Sequence, residues 1–154
     1  MKTKLISIKM LLALLIICFC VITSKSFSQE STAKATLYSR LGGYDAIASV
    51  TDDFITKLMN EPQLSKFFVG FSNDSKMRIR QHIIDFICQE TGGPCYYTGK
   101  DIKTMHRGLG ISESEWGIAT TDFKGTLDKF NVGQKEQEEL LSAISSMKND
   151  IVEK

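Results

Sequence analysis

The side chains best suited to metal or redox chemistry are two histidines, His82 and His106, and two cysteines, Cys88 and Cys95. A neutral imidazole nitrogen ligates transition metals, and a cysteine pair either forms a disulfide or remains as two thiols. A histidine in a helical protein is nevertheless more often a surface or core residue than a metal ligand. Residue type alone therefore leaves the role of both histidines open.

His106 ends a short segment, residues 101–106, that lies between glycine-rich stretches containing Gly99 and Gly108. A helix of so few residues is not stable by itself in water, because its first turn costs more conformational entropy than its hydrogen bonds return. The segment therefore needs an external surface to pack on. A flat apolar cofactor would provide that surface and would bring a metal within reach of His106.

Apolar residues recur at helical spacing through most of the chain, and no segment shows the sustained alternation that is typical of a strand. One apolar stripe covers residues 44–59 and stops before Pro62, and a second covers residues 77–91. Ser112 and Glu115 have the form of a capping box that opens a third helix. The pattern predicts an all-α fold whose last helix carries Leu140, Leu141, Ile144, Met147 and Ile151.

Four sequence blocks occur in an order that is typical of one protein family. Residues 37–43 (LYSRLGG) are similar to the family's opening helix and first glycine pair, and residues 63–68 (QLSKFF) to its short connecting segment. Residues 92–99 (GGPCYYTG) are similar to the extended loop after its distal helix, and His106 falls where its proximal histidine falls. Together the blocks resemble the truncated haemoglobins of group I, whose fold is a two-over-two helical sandwich around haem.

The resemblance implies a haem b whose iron is ligated by His106, and the chain has no C-x-x-C-H sequence for covalent attachment. The resemblance also implies that Phe68 stacks on the haem edge and that Ile102 lies on the haem side. The expected walls of the site are Phe54, Ile55, Phe68, Ile79, Ile83, Phe86, Tyr97, Ile102 and Trp116. The cations expected near the propionates are Arg78, Arg80 and Lys103. An ordinary helical core would also explain the apolar residues, and a solvated helix face would also explain the cations.

The distal side departs from the family pattern. Many group I members place a tyrosine and one or two glutamines where this chain has Ile55, Ile79 and Ile83, and those polar side chains slow oxygen release. A hydrogen bond to a partly charged ligand is worth roughly 1.5–3 kcal/mol, so oxygen retention is expected to fall by about one to two decades. The resemblance thus implies reversible binding of a diatomic gas (oxygen, CO or NO) in an apolar pocket.

His82 supports an alternative function. It falls where a few cyanobacterial relatives carry a histidine that binds iron as a sixth ligand, and helix geometry places it at the edge of the pocket face. Ligation by both histidines favours a haem redox enzyme acting on NO, nitrite or peroxide, or an electron-transfer protein. An unidentified reductase would supply the electrons. Solvent exposure of His82 is the other interpretation of this residue. A helical partner-binding module without a cofactor is a third hypothesis for the function.

The first 28 residues predict a signal peptide. Three lysines precede an apolar run at residues 10–22, and small residues at positions 26 and 28 favour cleavage before Gln29. The run is shorter than the roughly 20 apolar residues that span a bilayer. We therefore expect a periplasmic or secreted globin domain, residues 29–154, without a stable membrane anchor, the alternative being an uncleaved anchor. Removal of four lysines leaves 15 basic residues against 18 acidic ones, and this charge of −3 argues against nucleic acid as a partner.

Export makes a disulfide between Cys88 and Cys95 chemically feasible. A separation of seven residues across a turn permits the bond. The alternative is a buried helix thiol at Cys88 and an unrelated loop thiol at Cys95, and the sequence leaves both arrangements open.

Overall fold

Residues 35–154 are described by a computed structural model of the chain, and they form seven α-helices and one short 3₁₀ helix. The elements are α1 (Leu37–Arg40), α2 (Tyr44–Asn60), the 3₁₀ helix (Ser65–Phe68), α3 (Asn73–Glu90), α4 (Ile102–His106), α5 (Glu113–Lys129), α6 (Gln134–Ser146) and α7 (Lys148–Ile151). No strand occurs in this part of the chain, which confirms the all-α prediction. None of these helices is both long and apolar enough to cross a bilayer. The expected signal peptide, residues 1–28, lies outside the described residues.

Hydroxyl side chains set the points at which several helices begin. Thr36 and Ser72 each accept a hydrogen bond from a backbone N–H in the first turn of α1 and α3. Such caps satisfy donors that have no partner inside the helix. The predicted capping box at the start of α5 is confirmed, because Ser112 and Glu115 each accept a hydrogen bond from the other's backbone N–H.

The C-terminal region differs from the single helix that its apolar stripe predicted. α6 ends at Ser146 and α7 begins at Lys148, with Met147 between them. The N–H of Met147 donates to the carbonyl of Ile144, three residues back, at 3.0 Å. This tighter bonding interrupts the α-helical ladder, although the apolar spacing continues through both helices.

The longer helices pack as two pairs. α2 packs against α3 and against α5, and α5 packs against α6. Phe54 of α2 meets Phe123 of α5 edge to face, with ring centroids 5.0 Å apart. Buried residues fill the α2–α3 contact (Ile47, Ile84 and Cys88) and the α5–α6 contact (Phe123, Leu127 and Leu140). This arrangement is the predicted two-over-two sandwich.

Helix α4, which ends at His106, is supported from outside as its short length requires. Asp101 caps it by accepting a hydrogen bond from the N–H of Thr104 at 2.8 Å, and α7 packs against it. The hydrogen bonds from Thr104 hold the pKa of Asp101 below its usual value. The cap and α7 therefore fix the position of the segment that carries His106.

Candidate functional site

An apolar cavity of about 450 Å³ lies between α2, α3, α4 and α5. Side chains of the 3₁₀ helix and of α6 and α7 complete its wall. Cavities of this size with few polar groups are typical sites for cofactors and small ligands.

Most of the side chains that the sequence singled out line this cavity. They are Phe54 and Ile55 from α2, Ile79, His82, Ile83 and Phe86 from α3, and Phe68, Tyr97, Ile102, His106 and Trp116. The two histidines therefore lie on the wall of one space although they belong to different helices.

The three cations expected near a cofactor's propionates are not among the lining residues. The side chain of Lys103 is 65% exposed, and its Nζ lies 3.9 Å from a carboxylate oxygen of Asp150 on α7. Arg80 donates to Asp52 at 2.8 Å, and Arg78 is exposed. Lys103, predicted as a cofactor-binding residue, thus has an acidic neighbour on α7 and is not among the residues that line the cavity.

His106 is held in one orientation by its own helix. Its Nδ1 lies 2.7 Å from the carbonyl oxygen of Ile102, one turn earlier. The Nδ1–H of a neutral imidazole donates this bond, which leaves the electron pair on Nε2. This is the arrangement by which proteins orient a histidine that ligates a metal. The donor set of the cavity therefore fits a single nitrogen-ligated metal centre such as haem iron.

His82 presents a polar group with unfilled bonding capacity. Its Nδ1 is buried and has no hydrogen-bonding partner within residues 35–154. Its ring meets the ring of Tyr97 edge to face with centroids 5.9 Å apart, and Tyr97 meets Phe86 in the same way at 5.3 Å. A buried polar atom without a partner costs about 1–3 kcal/mol. His82 is therefore a residue of the α3 wall whose bonding capacity the described residues leave unfilled.

Two other polar side chains of the wall, those of Tyr97 and Thr120, are committed to the protein. The hydroxyl of Tyr97 donates to the carbonyl of Lys100 at 2.6 Å, and burial raises the pKa of this phenol. The hydroxyl of Thr120 donates to the carbonyl of Trp116 at 2.9 Å. Because the α2 and α3 walls otherwise present Ile55, Ile79 and Ile83, the described residues offer a gas ligand no uncommitted side-chain donor there except His82.

Glu115 is a cavity residue that sequence reasoning missed. The sequence assigned it only to the capping box, but its side chain also reaches the cavity wall and forms an ion pair with Lys66 of the 3₁₀ helix. The hydrogen bonds from Lys66 and from Ser112 lower the pKa of Glu115 to about 2. The pair joins α5 to the segment that carries Phe68. No local pattern could have revealed it, because the two partners are far apart in the sequence.

The C-terminal helices also contribute more than the sequence indicated. Ile144, Met147 and Ile151 line the cavity, whereas their helical spacing had identified them only as an apolar stripe. Spacing shows that a helix has an apolar face, but it does not show what that face covers.

Cys88 and Cys95, whose pairing the sequence left undecided, are bonded to each other. Cys88 of α3 and Cys95 of the following loop form a disulfide with a Cα–Cα distance of 5.7 Å. Cys88 is fully buried beside Ile47 and Ile84. The chain turns between them at Gly93, where an added Cβ would lie 2.7 Å from the Cys88 sulfur, so the close approach needs glycine.

Comparison with known proteins places this architecture in a family. A family model described as bacterial-like globin matches residues 36–153. The chain is 31% identical over 117 residues to the group 1 truncated hemoglobin GlbN of Mycolicibacterium paratuberculosis, covering 76% of this chain and 84% of that protein.

Solved structures agree on the fold. The truncated hemoglobin of Tetrahymena pyriformis in its Fe(III) form superposes with a TM-score of 0.70 and 23% identity, covering 78% of this chain and all of that one. The 2/2 hemoglobin of Synechococcus sp., in the cyanomet state with covalently attached heme, gives a TM-score of 0.70 and 23% identity over 77% of this chain and 98% of that one.

Proposed function

The chain belongs to the bacterial-like globin family, and on that premise we propose that it holds a non-covalent haem b, with His106 as the proximal iron ligand, and reversibly binds a diatomic gas. Haem in this cavity would supply an iron that takes oxygen, CO or NO. The residues of the chain would hold the haem, orient its ligand and exclude water.

The observation that carries the proposal is the 2.7 Å hydrogen bond between Nδ1 of His106 and the carbonyl of Ile102. This bond fixes the orientation of the His106 ring and leaves the electron pair of Nε2 available to a metal, inside a cavity whose wall is otherwise mostly apolar. Non-covalent attachment is supported by the lack of a C-x-x-C-H sequence and by the bond between Cys88 and Cys95, which leaves neither sulfur for a haem vinyl group.

The apolar distal wall supports rapid exchange of the gas. Ile55, Ile79 and Ile83 line the cavity, and none of them can donate a hydrogen bond. CO binding depends little on such donors, whereas oxygen retention depends on them strongly. The proposed protein therefore binds CO well and releases oxygen quickly.

Titration of the mature protein with haemin tests the proposal. We expect saturation at one haem per chain with a sharp Soret band, and a shift of that band when CO is added to the reduced protein. An absence of saturable binding would refute the haem function and leave the cofactor-free helical module as the better hypothesis.

A second function is supported by the unpartnered Nδ1 of His82 on the same cavity wall. A protein in which His82 also ligates the iron would be suited to electron transfer or to redox chemistry on NO, nitrite or peroxide, with a reductase as partner. The ferrous spectrum without added ligand separates the two functions. A six-coordinate spectrum that becomes five-coordinate in His82→Leu would favour the redox function, and a five-coordinate spectrum in both proteins would eliminate it.

Export to the periplasm or the medium is part of the proposal. The disulfide supports it, because structural disulfides are typical of oxidising compartments and uncommon in a reducing cytosol.

A further inference from the structure

The loop between α3 and α4 is fastened to two adjacent residues at the end of α3. Cys95 is bonded to Cys88, and the N–H of Tyr97 donates to the side-chain oxygen of Gln89 at 2.9 Å. The Tyr97 hydroxyl bonds inside the loop, to the carbonyl of Lys100. The disulfide is the covalent one of these attachments, and Cys95 lies two residues before Tyr97.

Tyr97 uses this position to cover one turn of α3. Its ring meets the rings of His82 and Phe86, which lie four residues apart and therefore on the same helix face. The ring of Tyr97 also forms part of the cavity wall. The loop thus holds an aromatic ring directly against the histidine that borders the cavity.

Among the rings of His82, Phe86 and Tyr97, that of His82 would gain most from a change of position. Its buried Nδ1 has no partner among the described residues, so a rearrangement that supplies one would gain a hydrogen bond. The edge-to-face contact with Tyr97 opposes such a rearrangement, since moving the imidazole would break it. The two effects are of similar size, and therefore a change in the loop can shift the balance.

We propose that the Cys88–Cys95 disulfide is a redox-sensitive latch that holds Tyr97 against His82, and that its reduction frees His82 to reach into the cavity. In haem-loaded protein, and on the proposed function, His82 would then reach the coordination position that the gas uses. The disulfide thereby restrains His82 and keeps the gas position open under oxidising conditions.

The chemistry of opening is thiol–disulfide exchange with a dithiol. A thiolate attacks the Cys95 sulfur, the Cys88–Cys95 bond breaks, and the Cys88 sulfur leaves and takes up a proton. The second thiol of the reductant then displaces Cys95, so that two protein thiols form and the dithiol is oxidised to its own disulfide. Attack at Cys95 is favoured because Cys95 is only partly buried, whereas Cys88 is 0% exposed.

The first experiment needs no haem. Amide hydrogen exchange and the imidazole NMR signals of His82 are compared in the full mature protein before and after treatment with dithiothreitol. Amides of residues 95–101 are expected to exchange at least about tenfold faster after reduction, while those of α5 and α6 keep their protection. The His82 ring signals are expected to shift. The Cys88→Ala/Cys95→Ala variant should reproduce both changes without reductant.

The second experiment uses haem-loaded protein and asks whether the effect passes through Tyr97 and His82. Reduction of the disulfide is expected to raise the six-coordinate fraction in the ferrous spectrum, and His82→Leu is expected to abolish that increase. Tyr97→Ala is expected to produce the same increase while the disulfide is intact. Failure to bind haem would end the proposed function, but the haem-free readouts would still decide the latch.

Four outcomes would overturn the latch. The His82 signals could stay in place on reduction, or the exchange of residues 95–101 could remain unchanged. Exchange could also accelerate equally in every helix, which would make the disulfide a general stabiliser of the fold. A ferrous spectrum that changes neither on reduction of the disulfide nor in the Tyr97→Ala variant would likewise contradict the latch.

Discussion

Introducing a hydroxyl at Ile55 should slow oxygen release from the haem-loaded protein. Ile55 lies on α2, is 8% exposed and lines the cavity, where no described side chain except His82 has an uncommitted donor on the α2 and α3 walls. Ile55→Tyr would place a phenolic O–H in that apolar wall. The added donor acts on the ligated form alone.

The size of the effect follows from the environment of Ile55. A hydrogen bond to a partly charged ligand is worth about 1.5–3 kcal/mol. Tyrosine is larger than isoleucine, and overpacking costs about 1–3 kcal/mol, but this cost is borne with and without the gas and largely cancels from the release rate. Allowing for imperfect geometry, we expect oxygen release to slow by about tenfold, which corresponds to about 1.4 kcal/mol.

Displacement of oxygen by CO in a stopped-flow experiment measures the release rate directly. Ile55→Phe is the matched control, because it adds the ring without the hydroxyl and should release oxygen about as fast as the wild type. Equal rates in the tyrosine and phenylalanine variants, with slow release already in the wild type, would refute the apolar-wall reasoning. His82 would then be the donor to suspect first.

Three further outcomes are expected. Glu115 has a folded-state pKa of about 2, below the ordinary value of 4.5. Its contribution to the free energy of unfolding is therefore complete above about pH 4.5 and is lost as the pH falls toward 2. Glu115→Gln should flatten the acid side of a stability profile that is followed by circular dichroism over that range. Gly93→Ala should lower the free energy of unfolding in urea by about 1–3 kcal/mol, because its Cβ would lie 2.8 Å from the Cys88 carbonyl oxygen, whereas Gly117→Ala, at a position with open space, should not destabilise the protein. Intact mass of exported protein should correspond to a chain that begins at or near Gln29, and full-length soluble protein in the cytoplasm would contradict export.

The sequence predicted the features that depend on local pattern. Apolar spacing located the long helices, and the Ser112–Glu115 pair located the start of α5, because caps and stripes involve residues within one or two turns of each other. The family resemblance then predicted which of these faces meet around a cavity. The break at Met147 was not predictable, because the apolar spacing runs through it unchanged.

The features that the sequence left open depend on contacts between distant or competing groups. The disulfide was one of two arrangements consistent with the spacing of Cys88 and Cys95, and only the folded path of the loop selects it. Lys103 was expected to bind the cofactor, and the sequence did not show that its amino group lies 3.9 Å from a carboxylate oxygen of Asp150 on α7. The unpartnered Nδ1 of His82 is invisible in a sequence, because it concerns what the surrounding elements fail to supply.

Removal and replacement of the His106 imidazole tests whether its Nε2 is the proximal ligand of haem iron, as we propose. His106→Gly and wild-type protein are loaded with haem, and the ferrous and ferric absorption spectra are recorded with and without free imidazole. We expect the variant to lose the wild-type Soret band and most of its haem, and we expect free imidazole to restore both. A variant that keeps the wild-type spectrum and haem content without imidazole would contradict the assignment of His106 and the function built on it.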